Sequence, residues 1–114
     1  MIQEYGIGVI GVGKYLPNEE ITNDQLEQWT GIPATEIEAK TGIVTRRKAG
    51  TDEVASEMSA KAALMALESA GISADQIGLI VTCTFTGDYI YPAVSCKIQT
   101  LIGAKILLRR SISV

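Results

Sequence analysis

The sequence contains no histidine, and this absence excludes several kinds of catalytic site from the chain. A metal site with a histidine ligand needs an imidazole nitrogen, and the Ser-His and Cys-His nucleophilic pairs need an imidazole as their base. Histidine is also the side chain that most often acts as a general acid or base. We therefore expect that the chain does not hold a complete set of the usual catalytic groups.

Cysteine and long apolar runs are also scarce. The two cysteines, Cys83 and Cys96, are 13 positions apart and form neither a Cys-x-x-Cys motif nor a zinc-binding set. The apolar stretches are far shorter than the roughly 20 residues that cross a membrane. The first four residues lack the positive charge of a signal peptide. These features predict a cytoplasmic protein with free thiols and no membrane association.

The chain has no excess of positive charge and few aromatic residues. Its 114 residues include 10 Lys plus Arg and 13 Asp plus Glu, which gives a net charge of −3, and 5% are aromatic. This balance provides no electrostatic attraction for nucleic acid, so we expect no nucleic-acid partner. With 46% hydrophobic and 20% charged residues, the composition is typical of one modest globular domain.

A glycine-rich apolar segment at residues 5–15 predicts the first strand. The spacing of Gly8, Gly11 and Gly13 resembles part of a dinucleotide-binding fingerprint. That fingerprint needs a further glycine and the start of a helix at position 16, where Leu16 precedes a proline. We therefore favour the interpretation that these glycines allow close packing beside a strand.

Capping and turn residues predict two short helices and an extended segment in the next part of the chain. The first helix is capped by Thr22 or Asn23 and runs through position 29, and the second covers residues 34–40 and is ended by Gly42. The extended segment that follows carries three cations, Arg46, Arg47 and Lys48. Such a cluster is usually a solvated face, and a site for a phosphorylated ligand is the alternative.

The strongest helical pattern covers residues 52–70, with Thr51 as its N-cap and Gly71 just after its end. An apolar run without alternation at residues 77–85 predicts a strand that is buried on both faces. A strand, a long helical crossover and a second strand are typical of a parallel βαβ unit. We therefore predict an α/β fold with a mostly parallel sheet.

The last predicted helix begins at Pro92, a favourable first helical residue, and ends at Gly103. We expect Cys96, on its apolar face, to be a buried and inert thiol, and Cys83 to be buried within the preceding strand. Residues 106–114 form a tail that has no cap or turn signal and is compatible with a short strand.

Six short segments of the sequence, taken together with their order and spacing, resemble one enzyme family. They are residues 11–17, 21–26, 40–47, 66–71, 75–80 and 91–104. Over residues 6–105 the chain resembles β-ketoacyl-acyl-carrier-protein synthase III, of the thiolase-like superfamily. The resemblance implies the truncated N-terminal half of a thiolase-like α/β/α fold, with residues 1–105 as a partial domain. Residues 106–114 are then a tail that departs from the family pattern.

The resemblance implies a decarboxylative condensation of an acyl-CoA with malonyl-acyl-carrier protein, in fatty acid or polyketide synthesis. The enzyme would be a homodimer that needs no cofactor. In the family, a cysteine at a helix N-terminus takes the acyl group, and a histidine and an asparagine stabilise the developing charge. None of these three groups has a counterpart in this sequence, so we expect no catalytic residue here and an inactive chain.

Three site residues are implied by the resemblance. Lys40 matches an arginine that helps to hold the CoA nucleotide, and Thr41 matches its neighbour. Glu36 stands at the position of a tryptophan that stacks on adenine, which disfavours ordinary recognition of short acyl-CoA. Tyr91 matches a bulky residue that crosses the dimer interface and shapes the partner's acyl pocket; an aromatic at the rim of a helix start is the alternative. No metal ligands are expected.

Two other functions are open at this point. Hydroxymethylglutaryl-CoA synthase shares the superfamily, but its catalytic glutamate falls near Phe85, which cannot transfer a proton. The second is a non-catalytic module that binds CoA or a carrier protein.

The tail after Lys105 can be explained by a shift of the reading frame. Codons that encode the family's usual sequence after this lysine, read one nucleotide out of frame, could encode the tail of this chain. We therefore expect a frameshifted or truncated product of a longer gene.

Overall fold

The computed structural model describes residues 6–105 and the backbone of residues 111–113. Contacts divide the chain into two compact units. The small unit is Leu16–Glu53, and the core unit is Met1–Tyr15 together with Val54–Val114.

The small unit contains two strands and two helices. In chain order they are β1 (Glu19–Thr22), α1 (Asn23–Thr30), α2 (Ala34–Thr41) and β2 (Thr45–Lys48). The strands are antiparallel, with Glu19 opposite Lys48 and Thr22 opposite Thr45. The extended segment that carries the cations is therefore confirmed as β2. Its partner β1 was not predicted, because two adjacent glutamates have low strand propensity and are stabilised here by the opposing cations.

Local signals set both helices of the small unit. The Thr22 hydroxyl accepts from the Gln25 N–H at 3.3 Å, and the Gln25 side chain accepts from the Thr22 N–H at 2.9 Å. This reciprocal pair is a capping box, and Gly31 ends α1 in the left-handed region at φ 73°. The first N–H of α2, that of Ala34, donates to the Glu27 carboxylate at 2.9 Å. Both predicted helices are confirmed, and each extends one residue further than predicted.

The core unit contains a parallel strand pair with a helical connection. Its elements are α3 (Ala55–Ala70), a 3₁₀ turn (Ala74–Gln76), β3 (Ile80–Thr82), α4 (Val94–Ile102) and β4 (Ser111–Ser113). In the parallel pair, Ile80 is opposite Ser111 and α4 forms the crossover. The α/β class is confirmed, although this βαβ unit uses different strands from those predicted. Part of the predicted tail is thus a strand, while residues 106–110 lie outside the described residues.

The buried core of this unit joins its two helices. It consists of Ala60 on α3 with Val94, Ile98, Ile102 and Ala104. The side chains of Ile77 and Ile80 pack against this cluster from the β3 side. Because Ala60 is small, α4 lies close to α3, as the alanine-rich sequence of α3 indicates.

Two glycines let residues 6–15 lie directly on α3. A Cβ atom on Gly13 would be 2.1 Å from the Ala62 carbonyl oxygen, and one on Gly11 would be 2.5 Å from that of Ala66. The packing interpretation of these glycines is confirmed. The predicted strand is wrong for residues 6–15, since they form no regular element and no described strand provides them with a hydrogen-bonded partner.

The long helix α3 begins three residues later than predicted. Its N-cap is Val54, and Thr51 does not cap it. A local turn precedes the helix, because the Glu53 N–H donates to the Gly50 carbonyl at 3.2 Å and the Glu53 carboxylate accepts from the Gly50 N–H at 2.8 Å. The predicted end is confirmed, with Gly71 in the left-handed region at φ 67°.

The predicted strand at residues 77–85 is shorter and less buried than expected. β3 covers residues 80–82, and its alternate side chains point to opposite faces. Ile80 faces the core, whereas Val81 is 60% exposed and Phe85 is fully exposed. The prediction of burial on both faces is therefore wrong for the described residues. α4 covers the face that carries Ile80, whereas the face that carries Val81 is exposed.

The helix α4 begins at Val94, after the N-cap Ala93, so Pro92 is not its first helical residue. A cis peptide bond joins Tyr91 to Pro92. The buried face of α4 is formed by Val94, Ser95, Ile98 and Ile102. Cys96 lies to one side of this face and is exposed, as is Cys83 beyond β3. The predicted burial of both thiols is wrong.

Candidate functional site

Lys40 and Thr41 form the C-terminal end of α2 in the small unit. The Thr41 hydroxyl donates to the Ile37 carbonyl at 2.7 Å and accepts from the Ile43 N–H at 3.1 Å. Gly42 follows in the left-handed region at φ 68°, which ends the helix at this point. The turn is therefore well defined by its own hydrogen bonds.

The Lys40 ammonium group already has an acidic partner. Its Nζ lies 2.6 Å from the Glu36 carboxylate one helical turn earlier, and the Lys40 side chain is 74% exposed. Glu36, at the implied adenine-stacking position, thus neutralises the charge of Lys40, at the implied nucleotide-binding position. A ligand phosphate would compete with Glu36 for this cation, in a solvated setting where such pairs are weak.

The three cations of β2 are paired within the small unit. Arg46 donates to the Asn23 side chain at 2.7 Å, and Arg47 lies 3.1 Å from the Glu20 carboxylate. Lys48 lies 3.7 Å from Glu19 on the opposite strand. This pairing favours the solvated-face interpretation of the cluster over a dedicated anion site.

Tyr91 belongs to the core unit and lies in the loop between β3 and α4. Its side chain is 88% exposed, and the adjacent Ile90 is fully exposed. Two residues, Pro92 and the N-cap Ala93, separate Tyr91 from the first residue of α4, and the bond from Tyr91 to Pro92 is cis. This position agrees with an aromatic at the rim of a helix start and leaves the ring available to a partner or ligand.

An ionic cluster in the same loop was missed by the sequence analysis. The Asp88 side chain is 3% exposed and accepts three hydrogen bonds. The Ser56 N–H donates at 2.9 Å, the Ser56 hydroxyl donates through a short hydrogen bond, and the Lys97 ammonium donates at 2.9 Å. These donors come from positions 32 residues before and 9 residues after Asp88, so no local spacing indicates the cluster.

The cluster keeps Asp88 ionised. Burial raises the pKa of this carboxyl, but the hydrogen bonds from Ser56 and Lys97 outweigh that effect and lower the pKa to about 2. The same contact raises the pKa of Lys97 above its usual range. Both partners are therefore charged throughout the neutral pH range.

An apolar groove of about 410 Å³ lies between α3, α4 and β3 in the core unit. Its walls include Gly11, Ala66, Leu79, Val81 and Ile98. Among the described residues, no set of three or more Cys, Asp or Glu side chains could hold a metal ion. A search of the same residues finds no helix with the length and apolar character of a membrane span.

Comparison with known proteins identifies the relatives of this chain. No protein-family profile matches it. Over 99 residues it is 42% identical to β-ketoacyl-[acyl-carrier-protein] synthase III 1 of Bacillus anthracis. The matched segment covers 87% of this chain and 32% of that protein. The chain is homologous to the N-terminal portion of β-ketoacyl-acyl-carrier-protein synthase III.

Solved synthase III structures have the same fold. The 3-oxoacyl-[acyl-carrier-protein] synthase III of Aquifex aeolicus superposes with a TM-score of 0.83 at 33% identity, covering 96% of this chain and 35% of that chain. The priming β-ketosynthase of the R1128 polyketide pathway superposes with a TM-score of 0.82 at 35% identity, covering 93% and 32%. The partial thiolase-like α/β fold is therefore confirmed, and the chain spans about a third of the length of its synthase III relatives.

Proposed function

We propose that this chain supplies the N-terminal part of a condensing enzyme. The enzyme would join an acyl group from acyl-CoA to malonyl-acyl-carrier protein, with loss of carbon dioxide, in fatty acid or polyketide synthesis. It would act as a cytoplasmic homodimer. The observation that carries the proposal is similarity over nearly the whole chain, at 42% identity in sequence and a TM-score of 0.83 in structure.

In this proposal the chain provides scaffold and substrate contacts rather than reacting groups. The sequence has no histidine that could act as a base for either of its two exposed cysteines. A nucleophilic cysteine of this enzyme class works together with such a partner. The cysteine, histidine and asparagine implied by the resemblance would belong to the remaining two thirds of a synthase III-like protein.

Lys40 and Thr41 are proposed to contact the CoA nucleotide. Support comes from their position at a rigid helix end, with the Lys40 side chain largely in solvent. The ion pair with Glu36 must be exchanged for a contact with phosphate, so the affinity for CoA should be modest. Titration calorimetry of CoA into the chain measures it directly.

Variants sharpen the CoA experiment. Lys40→Met should weaken binding, and Glu36→Gln should strengthen it by up to about fivefold, since surface pairs contribute about 1 kcal/mol or less. Lys48→Met is the matched control, because it removes a paired cation from the same unit at a position outside α2. Equal affinities for the chain and all three variants would contradict the assignment of Lys40.

Tyr91 is proposed to line the rim of the acyl pocket across a dimer interface. Its exposure and its place at the start of α4 support this role. A Tyr91→Phe variant retains the apolar ring, whereas Tyr91→Ala removes it. The role predicts that only the second variant changes which acyl chain lengths an assembled enzyme accepts.

A hybrid enzyme tests the proposed function itself. Residues 6–105 of this chain replace the corresponding residues of the Bacillus anthracis synthase III 1, and condensation of acyl-CoA with malonyl-acyl-carrier protein is assayed. We expect activity in the hybrid and none in the 114-residue chain alone. The matched control is the Bacillus protein without its N-terminal third. A folded but inactive hybrid would contradict the proposal.

A non-catalytic module that binds CoA or a carrier protein is the second candidate. The absence of histidine from the sequence is the observation that favours it. This candidate predicts tight binding of CoA or carrier protein to the chain alone. Weak binding together with an active hybrid would favour the enzyme instead.

A further inference from the structure

The loop between β3 and α4 combines an exposed tip with a buried acidic residue. Ile90 and Tyr91 lie almost entirely in solvent, whereas the Asp88 side chain is 3% exposed. A loop that served only to connect two elements would not need a buried carboxylate, since burial of a charge is costly without compensating partners. The partners of Asp88 therefore indicate what it holds together.

Asp88 connects the loop to both helices of the core unit. Through Ser56 it contacts the second residue of α3, and through Lys97 it contacts the fourth residue of α4. The N-cap of α3 is Val54, which has no side-chain oxygen to accept from the first N–H groups of the helix. Asp88 takes over that function from a distant part of the chain and places a negative charge at the helix N-terminus, where it is stabilising.

The residues on either side of Asp88 are also held. A Cβ atom on Gly87 would lie 2.9 Å from a methyl group of Val94, so the loop backbone rests directly on the first turn of α4. The Lys97 ammonium lies 5.1 Å from the centre of the Tyr89 ring. Residues 87, 88 and 89 are therefore each fixed to a helix. Glu57 on α3 is a further charge that acts on Lys97.

These contacts end two residues before Tyr91. We propose that Asp88 is a positioning residue for Tyr91: its carboxylate fixes the loop to α3 and α4, so that the exposed Tyr91 ring is presented in one orientation. The importance of that orientation for an acyl pocket rests on the proposed function, whereas the positioning itself is a property of this chain. Buried ion pairs are weak sources of stability, and their better-attested use is to specify one conformation.

Fluorine NMR of the 114-residue chain tests the inference. The chain is labelled with 3-fluorotyrosine at its four tyrosines, and Tyr→Phe variants assign the signals. We expect Asp88→Asn to shift the signals of Tyr89 and Tyr91 and leave that of Tyr15 in place. Tyr15 is the internal control, because the centre of its ring lies 4.5 Å from the Lys61 ammonium on α3. An unchanged Tyr91 signal would overturn the inference.

Chymotryptic cleavage after Tyr89 provides a second readout. Cleavage requires local opening of the loop, so its rate follows the population of the opened form. We expect Asp88→Asn to raise this rate about tenfold, which corresponds to about 1.4 kcal/mol. Lys97→Met should act in the same direction, and Lys97→Arg should retain the slow rate because it restores the cation. Lys61→Met is the matched control and should leave the rate unchanged.

A shifted Tyr15 signal would reveal that Asp88→Asn unfolds the core unit as a whole. Two weaker substitutions then test the role of Asp88 in a folded chain. Ser56→Ala removes the hydroxyl donor to Asp88 and keeps the Ser56 N–H, and Lys97→Met removes the ammonium donor. The inference requires at least one of them to move Tyr91 without moving Tyr15. If neither does, Asp88 is not a positioning residue. None of these measurements needs substrate, so an inactive hybrid enzyme would count against the proposed function and not against the positioning contact.

Discussion

The two units of the chain are organised by different kinds of interaction. In the small unit, helix caps join residues that are close in sequence, such as Thr22 with Gln25, while cross-strand ion pairs join β1 to the more distant β2. In the core unit, the decisive contacts join distant residues: Gly13 with Ala62, and Ser56 with Asp88. Sequence patterns therefore specify the two helices of the small unit almost directly, while its strand pairing and the packing of the core unit depend on residues that are distant in sequence.

The largest expected effect comes from adding one methyl group where the core unit has no room. Gly13→Ala places a Cβ atom against the backbone of α3, which cannot move without distorting the helix. We expect a loss of about 3 kcal/mol in the free energy of unfolding, at the upper end of overpacking effects. Gly8→Ala is the control, because no atom lies near the position of its Cβ. Hydrogen exchange of the α3 amides measures both, and equal effects would contradict the described packing.

The second effect is a pH dependence that Asp88 contributes to the stability of the core unit. Because the folded pKa of Asp88 is lowered from 3.8 to about 2, its ionised form stabilises the fold above pH 4. That contribution, about 2 kcal/mol, is lost as the pH falls from about 4 to about 2. Urea unfolding followed by circular dichroism should show this loss in the parent chain and a smaller one in Asp88→Asn. The control Asp75→Asn, at an exposed position, should behave like the parent.

A smaller effect is expected from the capping box of the small unit. Thr22→Ala removes the oxygen that accepts from the Gln25 N–H, at a cost of about 1 kcal/mol. The fluorescence of Trp29, the single tryptophan and a residue of α1, reports unfolding of this unit. Thr35→Ala changes an exposed threonine of α2 and should have little effect. If both variants unfold alike, the cap does not stabilise α1.

The smallest effect concerns the ion pair at the end of α2. Glu36→Gln should change the free energy of unfolding by no more than about 0.5 kcal/mol, the usual contribution of an exposed pair one helical turn apart. The Trp29 signal measures this effect as well. A much larger loss would mean that Glu36 has a structural role and does not merely occupy the Lys40 ammonium.

The predictability of the fold follows this division. The helices of the small unit were predicted within one residue because Thr22, Gly31 and Gly42 are local start and stop signals. The strand at residues 77–85 was overestimated, since an apolar run shows the preference for burial but not which neighbours provide it. The helix start at residue 52 was wrong because a turn closed by Glu53 competes with Thr51 capping.

Predictability of the candidate site differs between its parts. Lys40, Thr41 and Tyr91 are predicted to be site residues through resemblance, and no single-residue signal indicates them. The pairing of Lys40 with Glu36 was open to prediction from their spacing of four residues on a helix. The contacts of Asp88 with Ser56 and Lys97 were not, because they appear only when α3 and α4 pack together.

The nucleotide sequence that follows the codon of Gly103, read in all three frames, decides whether this chain is part of a condensing enzyme. We predict that one frame encodes Phe-Asp, then a cysteine after small residues, and later a histidine and an asparagine. Residues 6–105 would then be the scaffold and part of the CoA entrance of that enzyme. If no frame encodes these groups, the proposed function is contradicted, and a binding module becomes the better description of this chain.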